Sequence, residues 1–108
     1  MPFTSAPWDG GAVESGQEAG AFCRCCLIDL NKGEKSKGQC KLPVRSRPGG
    51  PYNVNAMAAA AAALAGARGG LNAPAENKRK AARRLVSLYR EAKKEPPAGL
   101  LRAAGMRR

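Results

Sequence analysis

The sequence predicts a mainly α, small single domain with two or three packed helices, an irregular N-terminal arm and one short extended segment. Three observations predict this. Residues 75–94 carry apolar side chains with a helical period, residues 57–65 are almost entirely methyl groups, and Pro and Gly clusters stand where those helices need ends.

In chain order, residues 1–12 form an arm, flexible or docked, in which Trp8 plugs an apolar surface. Residues 13–97 form the helical domain, and residues 98–108 a short helical or frayed basic tail. Between Val13 and Leu30, the recurrence of Phe22, Cys26 and Leu30 at i, i+4, i+8 predicts a short helix, weakened at its start by Gly16 and Gly20. Cys40, Leu42 and Val44 alternate with Lys41 and Arg45 in an extended piece, which Pro43 confines to an edge or to a conformation outside a sheet. Pro48-Gly49-Gly50-Pro51 turns the chain.

Asn53 or Asn55 is suited to cap an alanine helix through Met57–Ala65, ended by Gly66. Such a helix lets a neighbour approach closely, so it is expected to lie flat on the apolar side of the next one. Asn72 and Pro74 start that next helix, and Pro96-Pro97 stop it. On a wheel of about 100° per residue, Ala81, Ala82, Leu85, Val86, Leu88, Tyr89 and Ala92 fall within roughly 160°. Arg79, Lys80, Arg83, Arg84, Arg90 and Lys94 take the other side. Leu100 and Leu101 give the tail a further turn or two of helix.

The core must be thin: 44% of the residues are apolar, but much of that share is alanine and only 5% are aromatic. Trp8, Phe22, Tyr52, Leu64, Leu85, Leu88 and Tyr89 are its expected anchors, each contributing roughly 1.5–3 kcal/mol when fully buried. Net charge is +11 and uneven: residues 1–31 carry one Arg against four carboxylates, whereas residues 76–108 carry eleven basic against three acidic side chains. This excess favours polyanions through long-range attraction that does not depend on fold.

Several chemistries are poorly served. There is no histidine, the carboxylates stand singly, and a cysteine nucleophile lacks its usual imidazole partner, so no enzymatic activity is expected. Cys23 and Cys26 have the C-x2-C spacing of a zinc knuckle, yet Cys25 is wedged between them and Cys40 stands alone. Free thiols are therefore favoured over four-thiolate zinc or a disulfide to Cys40, and no metal or cofactor is assigned. Gly66-Ala67-Arg68-Gly69 fits the backbone-clamping G-x-x-G loop of some RNA-binding domains, but a helix end followed by a linker explains it as well. No basic leader precedes an apolar run, and the longest apolar stretch, residues 56–65, is about ten residues against the roughly 20 a membrane helix needs. The expected location is intracellular or inside a particle, without secretion or membrane contact.

Pro7-Trp8-Asp9-Gly10, Cys26-Leu27-Ile28-Asp29, Lys41-Leu42-Pro43-Val44-Arg45, Gly49-Gly50 to Asn53, Asn55-Ala56, the run from Ala62 to Gly70, and Ala82-Arg83-Arg84-Leu85-Val86 through Tyr89-Arg90 to Pro96-Pro97 carry a resemblance. Across most of its length the chain resembles a family of small uncharacterised phage and prophage domains, found alone or near head-maturation proteins such as prohead protease and capsid. The resemblance implies a phage or prophage origin and a self-contained domain, and it transfers no activity. Cys23 and Cys25 are additions to the family pattern.

The resulting expectation is a non-enzymatic basic binding module that associates electrostatically with DNA or RNA through Arg68, Arg79, Lys80, Arg83, Arg84, Arg90 and Lys94. The alternative is a protein-interaction or structural module docking on an acidic head or protease component. No small-molecule substrate is expected.

Overall fold

A computed structural model describes residues 3–66 and 71–106. Its described elements are β1 (Phe3–Thr4), α1 (Gly10–Ser15), α2 (Ala19–Arg24), β2 (Cys26–Asp29), a 3-10 turn (Lys37–Gln39), β3 (Cys40–Pro43), β4 (Tyr52–Asn53), α3 (Val54–Leu64), α4 (Ala75–Glu91) and α5 (Ala98–Ala103). The strands make the architecture mixed α/β, where the sequence predicted a mainly α chain. Residues 2–56 and 57–108 form two compact units.

In the first unit, Asp9 caps α1 by accepting from the Ala12 N–H at 3.1 Å. The expected helix towards Leu30 stops at Arg24. Cys26-Leu27-Ile28-Asp29 instead pairs antiparallel with β3, with Cys26 opposite Pro43, Ile28 opposite Lys41 and Asp29 opposite Cys40. A helical period and a short β-branched run overlap here, and cross-strand pairing with the segment around Pro43 decides between them. Leu42, just before Pro43, sits at φ 63°, a left-handed conformation that costs a residue with a Cβ about 1–2 kcal/mol.

The same pairing overturns the expectation of four free thiols. Cys23, at the end of α2, and Cys40, at the start of β3, form a disulfide with Cα atoms 5.4 Å apart, and Phe22 is buried beside them. Cys25 and Cys26 remain free. Cys26 is half-buried on a strand, where a helical position had been expected.

Tyr52 anchors the other sheet. β1 runs parallel to β4, with Phe3 opposite Tyr52 and their ring centroids 6.0 Å apart. The Arg45 guanidinium lies 5.1 Å from the Tyr52 ring centre and donates to the Arg24 carbonyl. Asn53 is buried with both amide atoms hydrogen-bonded: Oδ1 accepts from the N–H groups of Asn55 and Ala56, capping α3, and Nδ2 donates to the Ala6 carbonyl. Asn55 Nδ2 donates to the carbonyls of Ser5 and Ala6, so two asparagines pin the N-terminal arm. Trp8 is half-buried.

In the second unit, Met57, Ala60, Ala61 and Leu64 are buried along one side of α3, and Gly66 follows with φ 102°. The expected flat seat of the alanine helix on α4 is not the main helix contact: α4 packs most closely on α5. The end of α3 meets the start of α5, where a Cβ placed on Gly99 would lie 2.9 Å from the Ala65 methyl, so glycine is required by space. Leu85, Val86, Leu88 and Leu100 are fully buried, with Leu101 and Ala104 beside them in the core set. No side chain of Asn72 caps α4, which begins after Pro74.

Helix ends in this unit repeat one motif with two different residues. After α5, Gly105 at φ 73° lets the Met106 N–H reach the Leu101 carbonyl; after α4, Lys93 at φ 60° lets the Lys94 N–H reach the Tyr89 carbonyl. Glycine takes this conformation freely, and lysine does not. α4 is thus ended by its own left-handed residue, before the prolines expected to stop it.

Candidate nucleic-acid interface

The 17 residues of α4 give an axis of about 25 Å, with cations and core side chains on opposite sides. Ala81, Ala82, Leu85, Val86, Leu88 and Tyr89 are buried, as the wheel requires, and burial raises the Tyr89 phenol above its ordinary pKa. Arg79, Lys80, Arg83, Arg84 and Arg90 are exposed on α4, and Lys94 is exposed just after it. Arg68 lies outside the described residues, as does the rest of the proposed G-x-x-G loop after Gly66.

These side chains are not equivalent. Arg79, Arg83 and Arg90 fall within about 40° of one another around the axis, and Arg79 and Arg90 are about 16 Å apart along it. Lys80 is paired with Glu76 one turn earlier at 3.4 Å, an exposed contact worth little. Glu76 also suits the positive end of the helix. Arg79, Arg90 and Lys94 make no side-chain hydrogen bond or ion pair among the described residues.

Arg83 requires a correction. Its Nε donates to the carbonyl of Ala104, the C-cap of α5, at 3.1 Å, so it is a strut between helices as well as a surface cation. The sequence placed it wholly outward because wheel position gives the direction of a side chain and not what lies within its reach.

The sequence reading missed a second polar cluster, in the first unit. Lys35 Nζ donates to Asp29 Oδ2, while the backbone N–H and Nδ2 of Asn31 donate to Asp29 Oδ1. The Lys35 hydrogen bond leads in holding the Asp29 carboxyl below its ordinary pKa, with the Asn31 bonds acting in the same sense. Asn31 Nδ2 also lies 3.7 Å from Cys23 Sγ and 3.3 Å from Cys40 Sγ. Nearby, burial pushes the Cys26 thiol up to about 12, reinforced by Cys25, Glu14 and Asp29, and burial also raises Cys25. In both free thiols burial thus disfavours the reactive thiolate. Only the clustering of cysteines hinted at this site, since Asp29 and Asn31 join it through strand register.

No family model, curated protein or solved structure matches the chain. Among the described residues, no helix is long and apolar enough to cross a membrane.

Proposed function

We propose that this protein is a non-enzymatic nucleic-acid-binding module whose contact surface is the cationic side of α4. The observation that carries this reading is the exposed line of Arg79, Arg83 and Arg90, opposite a fully buried apolar side. A rigid helix holding guanidinium groups about 16 Å apart along its axis faces roughly five base-pair steps of duplex, at about 3.4 Å per step. Such contacts go to phosphates, so they provide affinity with little choice of sequence and weaken steeply with salt. The resemblance to phage and prophage domains near head-maturation proteins makes viral DNA, in the host cytoplasm or in the particle, the first nucleic acid to test.

The test is anisotropy titration of labelled duplex and single-stranded DNA at two salt concentrations. Low-salt binding should fall steeply as salt rises. The combined Arg79→Glu and Arg90→Glu variant should reduce the slope of log K against log salt by about two, one for each phosphate left without its cation. Its melting temperature should stay near that of the parent, because neither side chain supports the fold. Absence of low-salt binding to either nucleic acid overturns the reading and leaves an acidic protein surface as the partner to test.

A further inference from the structure

We propose that Cys23 and Cys40, once reduced, form with Asp29 a zinc site, so that the first unit holds a divalent metal in its dithiol form and a covalent cross-link in its disulfide form. Both sulfur atoms and a carboxylate oxygen of Asp29 lie within 4.8 Å of one another. Zinc takes thiolate at about 2.3 Å and carboxylate oxygen at about 2.0–2.2 Å, which puts ligand atoms of a tetrahedron roughly 3.5–3.8 Å apart. Three donors gathered this closely need small side-chain adjustments and no rearrangement of strands. Two ligands are presented by directly paired strand residues, Asp29 and Cys40, and the third by the last turn of α2.

The surroundings suit metal ligands. Asn31 Nδ2 lies beside both sulfurs and donates to Asp29 Oδ1 and to the Ser36 carbonyl, while Lys35 holds Oδ2. Oδ1 is occupied by two Asn31 donors, whereas Oδ2, which accepts from Lys35, keeps a second lone pair for a metal; such donors orient a ligand and balance its charge. A depression of about 580 Å³, lined by Gly20, Ala21, Cys23, Arg24, Asp29 and Lys35, reaches two of the three ligand residues. It provides an entry path and room for water as a fourth ligand. The two-sulfur set selects zinc or cobalt over magnesium or calcium, which prefer oxygen alone. This set differs from the C-x2-C knuckle suggested by spacing: Cys26 is outside it, and its buried thiol resists ionisation.

The steps balance with a dithiol as reductant. The reductant's two thiols give up two electrons and two protons, become a disulfide, and leave Cys23 and Cys40 as thiols. Metal binding then breaks the two S–H bonds, forms two metal–sulfur bonds and releases both protons to solvent, so affinity rises with pH.

Full-length protein is reduced with dithiothreitol, freed of it anaerobically and titrated with cobalt(II), alongside oxidised protein. The expected result is one equivalent bound by the reduced form, with a thiolate-to-cobalt charge-transfer band that zinc abolishes, and no band from the oxidised form. Asp29→Asn, which leaves both cysteines in place, should weaken binding roughly ten- to a hundredfold, as loss of a supporting or ligating group does. The combined Cys25→Ser and Cys26→Ser variant should bind as the parent does. The proposal is overturned by a reduced, folded protein without the band, by equal binding in the oxidised form, or by loss of binding in the Cys25/Cys26 variant. If reduction unfolds the first unit, one equivalent of metal must restore its circular dichroism, and failure to do so also overturns the proposal.

Discussion

Residues 2–56 and 57–106 solve the same problem, a small core with few large side chains, by opposite means. The first unit uses directional and covalent contacts: a disulfide, a buried asparagine hydrogen-bonded at both amide atoms, and an arginine stacked on a tyrosine. The second uses close-packed aliphatic and methyl groups, with a hydrogen bond from Arg83 to the Ala104 carbonyl tying α4 to the end of α5. The difference follows from backbone chemistry. A helix satisfies most of its own peptide groups and needs only an apolar side to bury, whereas strands of two to four residues leave carbonyl and amide groups open. Asparagine fills those vacancies because its side chain both donates and accepts.

Substitutions can break this contrast. In the helical unit, Leu85→Ala should cost the most, about 2–5 kcal/mol, because Leu85 is fully buried and its removal leaves a cavity; an unchanged melting temperature would contradict the packing described. In the strand unit, Asn53→Ala should cost about 1–3 kcal/mol in denaturant midpoint analysis, through the missing cap and an unsatisfied arm. Hydrogen exchange should then rise at Asn55 and Ala56, whose N–H groups donate to that side chain.

The free thiols sharpen the contrast through pH. The native pKa of Cys26, about 12, lies above the ordinary 9.0, so a proton is retained by the native state and lost by the unfolded one between these values. Its contribution is intact below about pH 9 and declines as pH rises towards 12. Cys26→Ala should flatten this alkaline decline in thermal melts taken from pH 8 to 10.5. The smallest effect is a gain: Lys93→Gly should stabilise the end of α4 by about 0.5–1 kcal/mol, since glycine already serves the equivalent position after α5. A fall in melting temperature would mean that the lysine side chain contributes more than its backbone conformation costs.

Legibility in the sequence followed the range of the interactions. The sides of α4 could be read residue by residue, because a period of 3.6 and the polarity of each side chain fix which arc is buried. The cap at Asn53 was equally local. The helix expected through Cys26 failed because its apolar spacing also fits a strand, and the choice rested on Pro43 and Cys40, more than ten residues away. Arg83 was legible as a surface cation, but its bond to Ala104 required α5 to be folded back within reach.

By itself, then, the sequence determined the charge gradient, the two-sided helix and the punctuation between elements, since each depends on residue type and near-neighbour geometry. Tertiary structure alone decided the β2–β3 register, the Cys23–Cys40 bond and the meeting of both sulfurs with Asp29. Those depend on which distant segments share a hydrogen-bond ladder, and a shift of one residue along that ladder would send Asp29 to the opposite side.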